Sequence, residues 1–244
     1  MEQNLPIPQS VKIRQNIAAV MLVLTDIFYI ITSIGVPRTH YMMTIIGIVC
    51  ATAWVLLYST ASNKATRVAS IIIIVFTLIA TLLDLFIASR PATFTFVFHI
   101  IKLLTSIYAY STLLKGNDNI NATDKTWISY IIVALIGMFA IYLYNIGFGY
   151  MFPQRDYDFY LQYNFSVSLT WILWSIAYYV LMAIAEFRMA KCAAFSGNYT
   201  TESAPKGTYS PINKYFAALL IVLPITLGLL WVIYSNLESI ESIF

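Results

Sequence analysis

The sequence predicts an all-α, polytopic integral membrane protein: seven transmembrane helices in one bundle, with the N-terminus cytoplasmic and the C-terminus on the opposite side. Three observations lead there. Of 244 residues, 60% are apolar or aromatic and 10% are charged, with a mean hydropathy of +0.77, whereas soluble domains carry about 25% charge. Seven windows of about 20 mostly apolar residues occur, the length at which a helix spans a hydrocarbon core about 30 Å thick. The Lys and Arg residues between the windows are unequally shared between alternate loops.

The first window, 15–35, follows Lys12 and Arg14 and contains Asp26. Its apolar run exceeds the 7 to 15 residues or so of a signal sequence and no small-x-small cleavage site follows, so it reads as a retained span. The second, 41–59, has no charge, and the third, 69–89, carries Asp84 near its end. Ser89, Arg90 and Pro91 separate it from the fourth, 92–114. Proline suits a first helical turn because its φ is fixed and its missing N–H has no partner there, so the third and fourth helices form an antiparallel hairpin.

The fourth window holds His99 and Lys102, and the distribution of charge decides whether it spans. If it does, ten Lys and Arg lie on the side of the N-terminus and only Arg38, Arg90 and Arg155 on the other; if it does not, the bias inverts against the positive-inside rule. The fifth window is 127–149, with Asn145, Gly147 and Gly149 read as its C-cap. The sixth is 165–185, and the seventh, 215–236, contains the helix-kinking Pro224 and Gly228. Between them lie a tyrosine-rich outer loop, 150–164, and a flexible cytoplasmic loop, 186–214, in which Cys192 offers a juxtamembrane thiol for acylation. Neither loop can form a domain of its own, so residues 1–244 are expected to make a single membrane domain.

Polar side chains within lipid turn toward neighbouring helices or a wet cavity. Here they fall at helical spacing: Thr25, Asp26, Tyr29, Thr32 and Ser33; Thr77, Thr81 and Asp84; Thr95, His99, Lys102 and Ser106; Ser168, Trp171, Ser175 and Tyr178. By depth, Asp26 and Lys102 each lie about 16 Å from opposite surfaces and so at similar height, while the hairpin brings Asp84 near His99. These four are the candidates for a proton, ion or solute path, since intramembrane Asp, His and Lys are the groups that relays are made from. The alternative is that each couple merely fixes helix register. Trp171, Trp174 and Tyr178 could line a pocket or pack in the bundle.

Several chemistries are excluded by motif. Two histidines and two cysteines, without H-E-x-x-H, C-x-x-C, G-x-S-x-G or a phosphate-binding glycine loop, predict no metal, no cofactor and no enzyme. Scattered charge of net +3 predicts no nucleic-acid partner. The seventh window lacks the lysine of a retinal protein, and a seven-helix receptor would place its N-terminus outside. The expected function is a small transporter or channel; the alternatives are an accessory or assembly subunit of a larger membrane complex, and a receptor-like protein without a retinal lysine. Expected partners are the lipid bilayer and a membrane-protein partner or second copy.

Overall fold

The computed structural model describes residues 7–33, 40–86, 92–117, 120–151 and 157–197. They form six helices, α1 (Gln9–Ser33), α2 (His40–Ser59), α3 (Lys64–Phe86), α4 (Ala92–Lys115), α5 (Ala122–Met151) and α6 (Tyr157–Ala190), followed by a short 3-10 turn at Ala193–Phe195. Of these, α1, α2, α3, α5 and α6 contain stretches long and apolar enough to cross a membrane. The chain is therefore an all-helical, multi-pass membrane protein. Helix α4, which carries His99 and Lys102, is not among these five. The expected seventh span, 215–236, with Pro224 and Gly228, lies outside the described residues.

Each helix packs on its sequence neighbours and α6 packs on α1, so the six close a ring in chain order. Small side chains are prominent among those sealed inside it: Ala18, Ala19, Ala53, Ala69, Ala109, Ala185 and Ala190 are buried together with Leu22, Trp54, Leu57, Leu113, Ile128, Ile131 and Met189. Lipid offers helices no hydrophobic incentive to associate, so close backbone approach through small residues supplies the van der Waals contact that holds them. Large apolar side chains point outward instead, among them Ile17, Val20, Leu24 and Ile31 on α1, Ile45 and Ile48 on α2, and Leu173, Val180 and Ile184 on α6. In water such a surface would be an aggregation hazard; in a bilayer it is the solvated face.

The core lies toward one end of the ring, here called the base, where α1, α3 and α5 begin and α2, α4 and α6 end. Three asparagines organise it. Asn63 caps α3 by accepting the Thr66 N–H at 2.8 Å, and Asn121 caps α5 by accepting the Asp124 N–H at 2.7 Å. The Asn63 amide donates to the Gly116 carbonyl and to Asn117 Oδ1, while Asn117 Nδ2 donates to the Thr66 hydroxyl and to the Leu113 carbonyl. The α2–α3 and α4–α5 turns are thereby knotted together.

After α6 the chain does not leave the bundle. Residues 191–197 fold under the base: Ala194 O accepts bonds from the Ser62 N–H and hydroxyl at 2.8 and 2.7 Å, and the Gly197 N–H reaches Thr60 O at 2.8 Å. Gly197 does so at φ 71°, a conformation that favours glycine. This seats Phe195, fully buried, edge-on against Trp54 with ring centroids 6.2 Å apart. The expected flexible loop 186–214 is thus corrected in its first part. Residues 186–190 belong to α6 and 191–197 are a floor.

Other boundaries move as well. Helix α5 continues through Asn145, Gly147 and Gly149 to Met151 rather than capping there, and α6 begins at Tyr157, so most of the expected outer loop 150–164 is helical. The reason is that helix is the only way to satisfy backbone groups wherever water is scarce, and glycine within a span is tolerated. Cys192 is buried rather than a surface thiol, and burial pushes its thiol up to about 12. A thiol held neutral is a poor nucleophile. A Cys50→Ser variant, in which Cys192 is the sole thiol, should therefore resist maleimide in the folded state at pH 7 and equally at pH 9, and react on denaturation; rapid labelling of the folded protein would show that the floor is open.

A buried acid pair between aromatic layers

The predicted inward stripes are inward in part, since Lys102 of the α4 stripe is exposed. Thr25, Asp26 and Thr32 on α1, Thr81 on α3, and Ser175 and Tyr178 on α6 are all buried. Most of the hydroxyls are satisfied by their own helix: Thr25 by Met21 O, Thr32 by Tyr29 O, Ser70 by Thr66 O and Thr81 by Thr77 O. Such bonds to the preceding turn remove these donors from the bundle interior, so the stripes are not a continuous file of free hydroxyls.

Asp26 is different. It is 2% exposed, and its Oδ2 is buried without a hydrogen-bond partner. Lys102 does not supply one. The lysine is exposed, beside a cavity of about 20 Å³ between α3 and α4 lined by Ile72, Ile73, Phe76, Thr77, Thr105 and Ser106. The pairing proposed from depth fails because α1 packs on α2 and α6 whereas α4 packs on α3 and α5; equal height does not make two helices neighbours. Asp84, His99 and Trp171 lie on helical backbone, but their side chains are outside the described ones.

What Asp26 meets is a second acid. Glu186 on α6 is 5% exposed and within electrostatic reach of Asp26. The stacking of Tyr29 on Tyr179, 5.2 Å apart and 11° from parallel, fixes the antiparallel register of α1 and α6. It puts Asp26 level with Met182 and Glu186 one turn, about 6 Å, closer to the base. Helical side chains lean toward their own N-terminus. On antiparallel helices the two carboxyls therefore lean toward each other, which closes that offset.

The surroundings are aromatic on both sides. Glu186 Oε1 accepts the Tyr110 hydroxyl at 3.1 Å. Tyr110 stands edge-on to Trp54 at 6.0 Å and Trp54 to Phe195, a continuous column down to the floor. Toward the other end of the ring, the Tyr29–Tyr179 stack lies one turn beyond Asp26. Cys50 on α2 is a half-buried free thiol packed against the core.

Glu186 was missed by sequence reasoning because the sixth apolar window stops at residue 185. The signal was present: the stripe Ser168, Trp171, Ser175 and Tyr178 continues at helical spacing through Met182 to Glu186. Of the aromatic residues offered as a pocket, Trp174 and Tyr178 pack instead against each other at 6.1 Å and against Ala134, Met138 and Leu181. Gly137 permits this, since a Cβ there would collide with the Tyr178 ring. Among the described residues no group of three His, Cys, Asp or Glu is arranged to hold a metal ion. Comparison with protein-family models, curated proteins and solved structures finds no match to this chain.

Proposed function

We propose that the chain crosses the bilayer seven times, counting α4 and the apolar segment 215–236, with its N-terminus cytoplasmic, and that it moves a proton, ion or small solute through the bundle interior without catalysing a reaction. The observation that carries this reading is the buried Asp26 carboxyl beside Glu186, with no cation bonded to either among the described residues. Acidic groups at this depth are costly and face the interior when they serve a pathway. Position in the ring supports the span assigned to α4, because it packs between α3 and α5, both long and apolar enough to cross. Asp84 and His99 remain candidates for the mouth opposite the base.

The test is flux in proteoliposomes. Asp26→Asn and Glu186→Gln should each leave a folded, inserted protein whose proton or cation flux falls to the level of empty vesicles. Unchanged flux in both variants would sink the reading. A second reading, an accessory subunit of a membrane complex, is favoured by one observation, the exposed Lys102 in the middle of α4. That amine suits an acidic residue on a partner's transmembrane helix, and a partner held by it should be lost on Lys102→Met and retained on Lys102→Arg.

A further inference from the structure

We infer that Asp26 and Glu186 form an occluded proton-binding site that retains one proton between its two carboxyls at neutral pH; this deepens the transport reading by naming its cargo. Two carboxylates brought together in a medium of low dielectric cannot both stay ionised, because each pays the loss of hydration and the repulsion of the other. A cation could relieve them. Helix α4 contributes the Tyr110 hydroxyl, which donates to Glu186, and α2 contributes the Cys50 thiol. Lys102 is exposed on α4, and among the described residues no lysine or arginine bonds to either acid. With no cation bonded to the pair among the described residues, a proton is the smallest charge that settles it.

The donor set agrees with a proton rather than a metal ion. Tyr110 already occupies one oxygen of Glu186, and no third acid or imidazole joins the two among the described residues. Calcium would require six to eight oxygens and magnesium an octahedron. The unpartnered Oδ2 of Asp26 is where a single added hydrogen bond is lacking. A proton there makes a donor of a group that otherwise only accepts.

Occlusion follows from the two aromatic layers. Phe195, Trp54 and Tyr110 are all buried and close the site from the base. Tyr29 and Tyr179 cover the opposite side, spanning the α1–α6 seam. Among the described side chains, exchange along the α1–α6 seam or through the base therefore requires one layer to part.

Infrared spectroscopy of the purified protein in lipid nanodiscs tests the site without reference to transport. At pH 7 the wild type should show a carbonyl band of a protonated carboxylic acid that is missing from the Asp26→Asn, Glu186→Gln double variant. Tyr110→Phe, which keeps both carboxyls, should shift that band, and Phe195→Ala should speed its change on transfer to deuterated water. Absence of any acid band that differs between wild type and double variant, with Tyr110→Phe also silent, would overturn the inference. So would loss of the band on adding sodium or calcium ions, since the pair would then be a cation site. Proton flux in proteoliposomes separates the two proposals: the band without flux leaves the proton site standing and removes transport, whereas proton flux without the band removes the site.

Discussion

Phe195→Ala should lower stability by about 3 to 5 kcal/mol and turn Cys192 from an inert thiol into a reactive one. Phe195 is fully buried and its only route to that seat is the fold-back of residues 191–197, which Ser62 and Thr60 hold by three hydrogen bonds. Unlike the ring's outer faces, this floor is not solvated by lipid. Removing the ring leaves a cavity against Trp54 that water at the base can reach, so the burial term is lost in full. Denaturation in mild detergent gives the stability, and maleimide labelling in a Cys50→Ser background gives the exposure. Phe195→Leu, which keeps most of the volume, should retain more than half of the stability lost in Phe195→Ala. Equal melting and unchanged labelling in the alanine variant would show that the floor does not seal the bundle.

Asn117→Ala should cost about 2 to 4 kcal/mol, because it strands several buried partners at once. Each hydrogen bond is worth only about 0.5 to 1.5 kcal/mol net, yet a buried group left unsatisfied costs about 1 to 3. Asn117 bonds to Asn63, Thr66 and the Leu113 carbonyl, and Thr66 is itself fully buried. Close packing prevents water from replacing the lost amide: a Cβ on the adjacent Gly116 would collide with Ala65. Thr66→Val should cost less alone, and the double variant should cost less than the two added together, with a coupling of at least about 1 kcal/mol. Strict additivity would mean that the two turns are not joined through this knot.

Hydropathy made five of the spans legible, and helical spacing the inward residues of α1, α3 and α6, since lipid allows few alternatives. Thr25, Asp26, Thr32, Thr81 and Tyr178 lie where the stripes put them. What spacing could not give was the ring order. Pairing Asp26 with Lys102 used height alone, and height says nothing about which helices touch. Glu186 was hidden for a different reason: an apolar window stops at the first charge, whereas a helix stops where its backbone bonds run out, here at Ala190. The floor was illegible because residues 191–197 carry no apolar periodicity; a single aromatic ring in so short a segment becomes an anchor only once Trp54 is in place to receive it.

The closing of the ring by α6 on α1 also orders events during synthesis. Helix α1 is the first to leave the ribosome and α6 the last of the six, so Asp26 enters the bilayer well before Glu186 has been made. For that interval α1 carries its carboxyl without the second acid, at an insertion cost of about 2.5 to 3.5 kcal/mol. The hydrophobic run around it, from Ile17 to Ile31, has to outweigh that cost unaided. Arrival of α6 is then the step that converts a string of inserted hairpins into a closed vessel, and a chain cut short before Tyr157 would lack the wall against which its first helix is meant to rest.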